Sequence, residues 1–161
     1  MMWVKSGLLP LLFSYVIALV LTIMPIPAVL EPWRPDWVSI VLIYWLIAIP
    51  HRVGFGTVLV MGLLTDILMG STFGVYATAL VIIAYPTLRH FQRIRNYSLT
   101  QQLLVVGVLI LIKRVIVYEL EHVLNDAVFN LPYLYPVISS AIVWPWLFLI
   151  LRRYRRRYLI R

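Results

Sequence analysis

Six ionisable residues stand inside otherwise apolar stretches of this chain: Asp66, Lys113, Arg114, Glu119, Glu121 and His122. Charge at membrane depth is costly, so each such residue marks either a functional site or a structural device. Asp66 falls about 20 Å into its apolar run at 1.5 Å per helical residue, and Lys113 and Arg114 about 15 Å into theirs. Arg114, Tyr118, Glu121 and Asn125 recur at i, i+4, i+7 and i+11, which places them on one helix face. That stripe must turn inward, because lipid does not solvate it. Two kinds of role fit: an ion or proton path or a polar ligand pocket, and an ion pair, Arg114 with Asp66 or Glu121, that holds the bundle or a partner helix. The ion pair is the reading adopted, since a path needs a continuous relay and four of the six apolar runs carry no ionisable residue.

A second pattern surrounds Asp66. Gly54, Val58, Gly62, Asp66 and Gly70 follow one another at i, i+4 spacing. Small residues spaced in this way let two helix backbones approach closely, which is how helices associate in lipid. The spacing aims Asp66 into that contact. Gly70-Ser71-Thr72-Phe73-Gly74 follows as a turn, in which glycine reaches backbone angles closed to other residues. A phosphate-cradling loop would need a Lys and a following Ser or Thr after the second glycine, and neither is present.

Other chemistries have less to build on. His51, His90 and His122 are far apart, with no i, i+4 pair and no accompanying carboxylate pattern, so neither metal nor cofactor is expected. No Ser–His–Asp set is spaced for nucleophilic catalysis, and Ser139 and Ser140 read as helix-packing residues. With no cysteine there is no disulfide, thiolate metal site or iron–sulfur cluster.

The elements that must position these residues are membrane helices. Of 161 residues, 63% are hydrophobic and 12% charged, against roughly 45–50% and 25% in soluble domains. This excludes a soluble enzyme, a disordered tail and a disulfide-rich secreted module. Spans are expected at 8–24, 37–49, 53–69, 73–88, 103–124 and 136–151, giving an all-α, polytopic bundle in a single domain. The second run is short for the roughly 20 residues of a spanning helix, so five spans plus one re-entrant segment is the alternative. The first run has too long an apolar stretch, and no small-x-small site behind it, to be a signal peptide. Arg34 and Trp37 are expected at headgroup level before the second run.

Orientation follows from Lys and Arg. Apart from Arg34, Lys113 and Arg114, all of them fall in the N-tail (Lys5), the second loop (Arg52), the fourth loop (Arg89, Arg93, Arg95) or the C-terminal tail, which lie on one side. The positive-inside rule puts that side, with both termini, in the cytoplasm; a re-entrant second run would flip only the N-terminus. The basic tail, 152–161, contains Arg152, Arg153, Arg155, Arg156, Arg157 and Arg161. Juxtamembrane Arg attracts anionic lipid by about 1 kcal/mol each, so the net charge of +8 records topology and a cytoplasmic interface, not nucleic-acid binding.

These residues also carry a likeness. Arg34-Pro35-Asp36-Trp37 before Tyr44-Trp45, the block from Pro50 to Gly56, Gly62-Leu63-Leu64-Thr65-Asp66, the turn from Gly70 to Gly74 and Tyr76-Ala77 together resemble the MreD family of bacterial rod shape-determining proteins. Trp144-Pro145-Trp146 ahead of a basic tail is similar to its Gram-negative members. The resemblance implies an inner-membrane subunit of the cell-elongation machinery, acting with MreC, MreB, RodA and its class B transpeptidase. It implies no catalytic residue, and an architecture similar to the six-helix substrate-binding subunits of energy-coupling-factor transporters. The leading expectation is therefore a non-enzymatic scaffold that binds MreC. Its rival is a small-molecule-binding subunit of a transporter, with its pocket near Asp66 and the fifth run. An intramembrane enzyme ranks third.

Overall fold

The computed structural model describes residues 7–158. Lys5 and Arg161, used above for orientation, lie outside the described residues. Seven α-helices follow in order: α1 (Leu8–Ile23), α2 (Trp37–Ala48), α3 (Phe55–Met69), α4 (Val75–Arg89), α5 (Phe91–Arg95), α6 (Leu99–Asn125) and α7 (Tyr135–Arg157). Short 3-10 turns, Glu31–Trp33 and Leu131–Leu134, precede α2 and α7. No strand occurs among the described residues.

The bundle is arranged around α2. This helix is apolar on every side, the mark of an element buried all round, and every residue from Val38 to Ile47 is buried. Its ends need partners, because a helix leaves its first N–H groups and last C=O groups unpaired. At the C-terminal end Arg95 donates to the carbonyls of Ile47 (2.6 Å) and Ala48 (3.2 Å), and Arg155 donates to Ala48 at 3.3 Å. The indole of Trp45 donates to Ser14 Oγ on α1 at 2.9 Å. The indole of Trp144, equally buried on α7, donates to Gln102 of α6 at 3.4 Å. Tyr154 of α7 reaches the Pro10 carbonyl of α1 at 2.9 Å.

Helix limits follow local chemistry. The helix α6 starts at Leu99, ahead of the expected 103, because Ser98 and Gln101 form a reciprocal capping box. The basic segment after 151 is not a separate tail: α7 continues as helix through Arg157. The small helix α5, carrying Arg93 and Arg95, lies in what reads from sequence as a loop.

The outer surface is apolar. Phe13 and Val16 on α1, Val60 and Ile67 on α3, and Ile142, Trp146 and Ile150 on α7 are all more than half exposed. By length and composition one helical stretch, Leu131–Arg157, is sufficient to cross a membrane, and Leu8–Ile23, Phe55–Met69 and Val75–Arg89 are shorter apolar helices.

Candidate functional site

A buried ion pair joins three helices. Asp36 precedes α2 and caps it, its Oδ1 accepting from the Ser39 amide at 3.4 Å. Lys113, in the middle of α6, donates to Asp36 Oδ2 and to Ser39 Oγ, the latter at 2.8 Å. The Asp36 amide donates to Ser140 Oγ on α7 at 2.8 Å. The Lys113 side chain is 2% exposed and that of Asp36 9%. The Lys113 ammonium also lies 5.1 Å from the centre of the Tyr76 ring on α4. A buried charge is tolerated when it is both paired and hydrogen-bonded, and each partner here has the other plus hydroxyl or amide support.

Asp66 does a different job. It is buried near the end of α3, where Oδ2 accepts from the Gly74 amide at 2.8 Å and Oδ1 from the Tyr76 amide at 2.7 Å. One carboxylate thus satisfies two orphan donors at the start of the next helix, a capping role supplied from outside that helix. The chain between α3 and α4 reverses on Gly70 and Gly74, at φ +64° and +101°, angles that glycine adopts without a Cβ clash. Asp66→Ala is expected to lower stability by about 1–2 kcal/mol through loss of the cap, and Asp66→Asn by less. Thermal unfolding of the detergent-solubilised protein measures both.

Gly62 is where α3 meets α4. A Cβ built there would run into the Ala77 Cα and lie 2.9 Å from the Ala77 Cβ. Gly54, one member of the same line, has nothing within 4 Å of such an atom. The close approach is therefore made at Gly62, while Gly70 and Gly74 shape the turn.

In the Arg114 stripe, Arg114, Tyr118 and Glu121 are half-buried and Asn125 is exposed, and the partners differ from those expected. Arg114 forms no ion pair with Asp66 or Glu121; its guanidinium lies over the Tyr133 ring, 4.9 Å from the centroid. Glu121 accepts from Ser71 Oγ at 2.9 Å, and Asn125 donates to Thr72 at 3.0 Å. Tyr118 packs edge-on against Phe129. The stripe thus clamps the α3–α4 turn and the segment before α7. The ion pair forms one residue earlier, at Lys113. Asp66 already has two amide donors, whereas Asp36 presents its free oxygen beside α6. A sequence signal existed: Asp36-x-x-Ser39 ahead of an apolar run is an N-cap pattern. Lys113 also has no carboxylate three or four residues away on its own helix, so its partner had to come from another element.

Arg34 binds within the fold. Its guanidinium donates to the carbonyls of Thr22 and Met24, closing the end of α1, and pairs with Glu31 at 3.0 Å. Trp37 is half-buried against the core. Arg152 and Arg155 line a cavity of about 170 Å³ with Arg95 at the C-terminal end of α2, while Arg153 and Arg157 line a separate cavity on α7 with Trp146. At the opposite end of the bundle a cavity of about 390 Å³ has the ion pair among its lining residues, together with Arg34, Arg114, Tyr76 and Tyr133.

A helical fold among the described residues, with large apolar side chains on its exterior and Asp36, Asp66 and Lys113 shielded inside, is the pattern of a helical membrane protein. The family model for rod shape-determining protein MreD matches residues 4–154. The rod shape-determining protein MreD of Haemophilus influenzae is 35% identical over 147 residues, which cover 91% of each chain. The chain belongs to the rod shape-determining protein MreD family, and this membership gives it a role in determining rod shape. No solved structure matches it, so the expected likeness to transporter substrate-binding subunits finds no support.

Proposed function

We propose that this chain is a non-enzymatic, multi-pass subunit of the bacterial inner membrane that binds MreC and helps to position lateral peptidoglycan synthesis. MreB, RodA and its class B transpeptidase are engaged through that assembly, and no cofactor is required. Six segments cross the bilayer, with both termini and the Arg95–Arg155 end in the cytoplasm. Since α2 extends only about 18 Å, residues 25–36 complete its crossing.

The observation that carries this reading is how the charged groups within the bundle are used. Asp36 and Lys113 bind each other across helices, and Asp66 caps α4. These are architectural tasks, and they suit a scaffold with apolar outer faces for partner helices. The test is co-purification of MreC with the tagged full-length chain. Asp66→Ala is expected to reduce the recovered MreC several-fold and to round the cells. Undiminished MreC together with normal rods contradicts the proposal. The 390 Å³ cavity favours one other reading, a small-molecule-binding subunit of a transporter. That reading requires a stoichiometric soluble ligand in the gently purified protein and a thermal shift on adding it.

A further inference from the structure

The facing sides of α1 and α3 do not close on each other. Between them runs an apolar groove of about 440 Å³, walled by Leu12, Val16 and Leu19 on one side and by Val60, Met61 and Leu64 on the other. The polar cavity of about 390 Å³ begins where this groove stops. Leu64 belongs to the groove and its neighbour Thr65 to the cavity; Leu19 belongs to the groove and Thr22, one turn later, to the cavity. Groove and cavity thus follow one another along the same two helices, and together they are called the α1–α3 seam, with an apolar and a polar half. From Gly56 to Met69 groove and cavity together follow roughly 20 Å of α3, nearly the whole helix.

The polar half is built for an anion. Arg34, Lys113 and Arg114 line it against Glu31 and Asp36. Of the three cations lining it, Arg34 pairs with Glu31 and Lys113 with Asp36, and Arg114 forms no ion pair among the described residues. Two lining residues also carry a shielded polar atom without a hydrogen-bond partner, Arg34 Nε and the Tyr133 hydroxyl. A guanidinium, an N–H and a phenol around one cavity match the acceptor oxygens of a phosphate.

We propose that the α1–α3 seam binds one amphiphile, its phosphate-bearing anionic headgroup against Arg114 and its apolar chain in the groove beside Val16 and Val60. The headgroup sits between the charged centre and the segment before α7, so the occupant bridges α1, α3 and α6. This assignment is independent of the scaffold reading: it concerns what fills the seam, and it is tested on the isolated full-length chain.

The test uses dioleoylphosphatidylglycerol added to the protein in neutral detergent, read by native mass spectrometry. One lipid per chain is expected to be retained. Arg114→Gln is expected to weaken retention about tenfold, the size of one lost charge-assisted contact. Arg114→Lys keeps the charge and most of the binding. Gly56→Phe, which places a ring in open space beside the groove, is expected to weaken retention from the apolar end. Arg89→Gln, at an exposed site on α4 bonded to Tyr85 of the same helix, leaves it unchanged. In the unaltered protein, phosphatidylglycerol with a photoreactive acyl chain is expected to label α1 and α3. Inorganic phosphate alone should neither bind at millimolar concentration nor displace the lipid. The proposal is overturned by equal retention in Arg114→Gln and Gly56→Phe, by labelling confined to other helices, by phosphate displacing the lipid, or by a polypeptide found cross-linked in the seam of the purified protein.

Discussion

Lys113→Met is expected to cost the folded protein about 3–5 kcal/mol, the usual result of removing one member of a buried ion pair. Methionine fills a similar volume, so the loss would come from the carboxylate left behind and not from a cavity. Asp36 would keep its Ser39 amide contact, but its other oxygen would face a shielded site without its cation. Adding Asp36→Asn to that variant should recover most of the loss, because an asparagine still caps α2 and no charge remains unpaired. The midpoints of thermal unfolding for the wild type, both single variants and the double variant give the coupling directly. A double variant no more stable than Lys113→Met would mean that the pair does not carry this energy.

Gly62→Leu is expected to be the second severe change, at about 3 kcal/mol, near the top of the usual range for overpacking. The obstacle is backbone: the new Cβ would meet the Ala77 Cα, and a helix backbone cannot rotate aside as a flexible side chain can. The helices α3 and α4 would have to separate, pulling Asp66 away from the Gly74 and Tyr76 amides. Gly62→Ala should show the same effect in weaker form. By contrast Gly54→Leu, in open space, should change the unfolding midpoint little. The same small effect at positions 54 and 62 would contradict the close approach at Gly62.

What the sequence made legible was set by burial. Each of the six apolar runs is helical, and the stripe from Arg114 to Asn125 could be read because helix periodicity places such residues on one face. Asp66 and Gly62 were legible as a helix contact for the same reason. The pairing of charges was not. Lys113 and Asp36 are 77 residues apart, and nothing in the periodicity of either segment encodes which helices become neighbours. The hydrogen bonds of Arg34 were not legible either, because an Arg beside Pro and Trp before an apolar run suits a headgroup and the open carbonyls of a preceding helix equally. The carbonyls of Thr22 and Met24 take it. Nor was the contact of Arg155 legible: a basic run after an apolar helix reads as a lipid anchor or a cytoplasmic interface, and a helical α7 also brings Arg155 onto the last carbonyl of α2.

The central claim is that the charges inside this bundle hold helices in place and do not move ions or perform chemistry. The most direct measurement is rod growth in cells whose only copy of this protein carries Asp36→Asn together with Lys113→Met, with the folded membrane level of the protein measured in parallel. The account predicts wild-type protein levels and normal rods, because an uncharged pair that keeps the α2 cap is structurally sufficient. Round cells containing normal amounts of folded double variant would contradict it, since the charges themselves would then be needed for function.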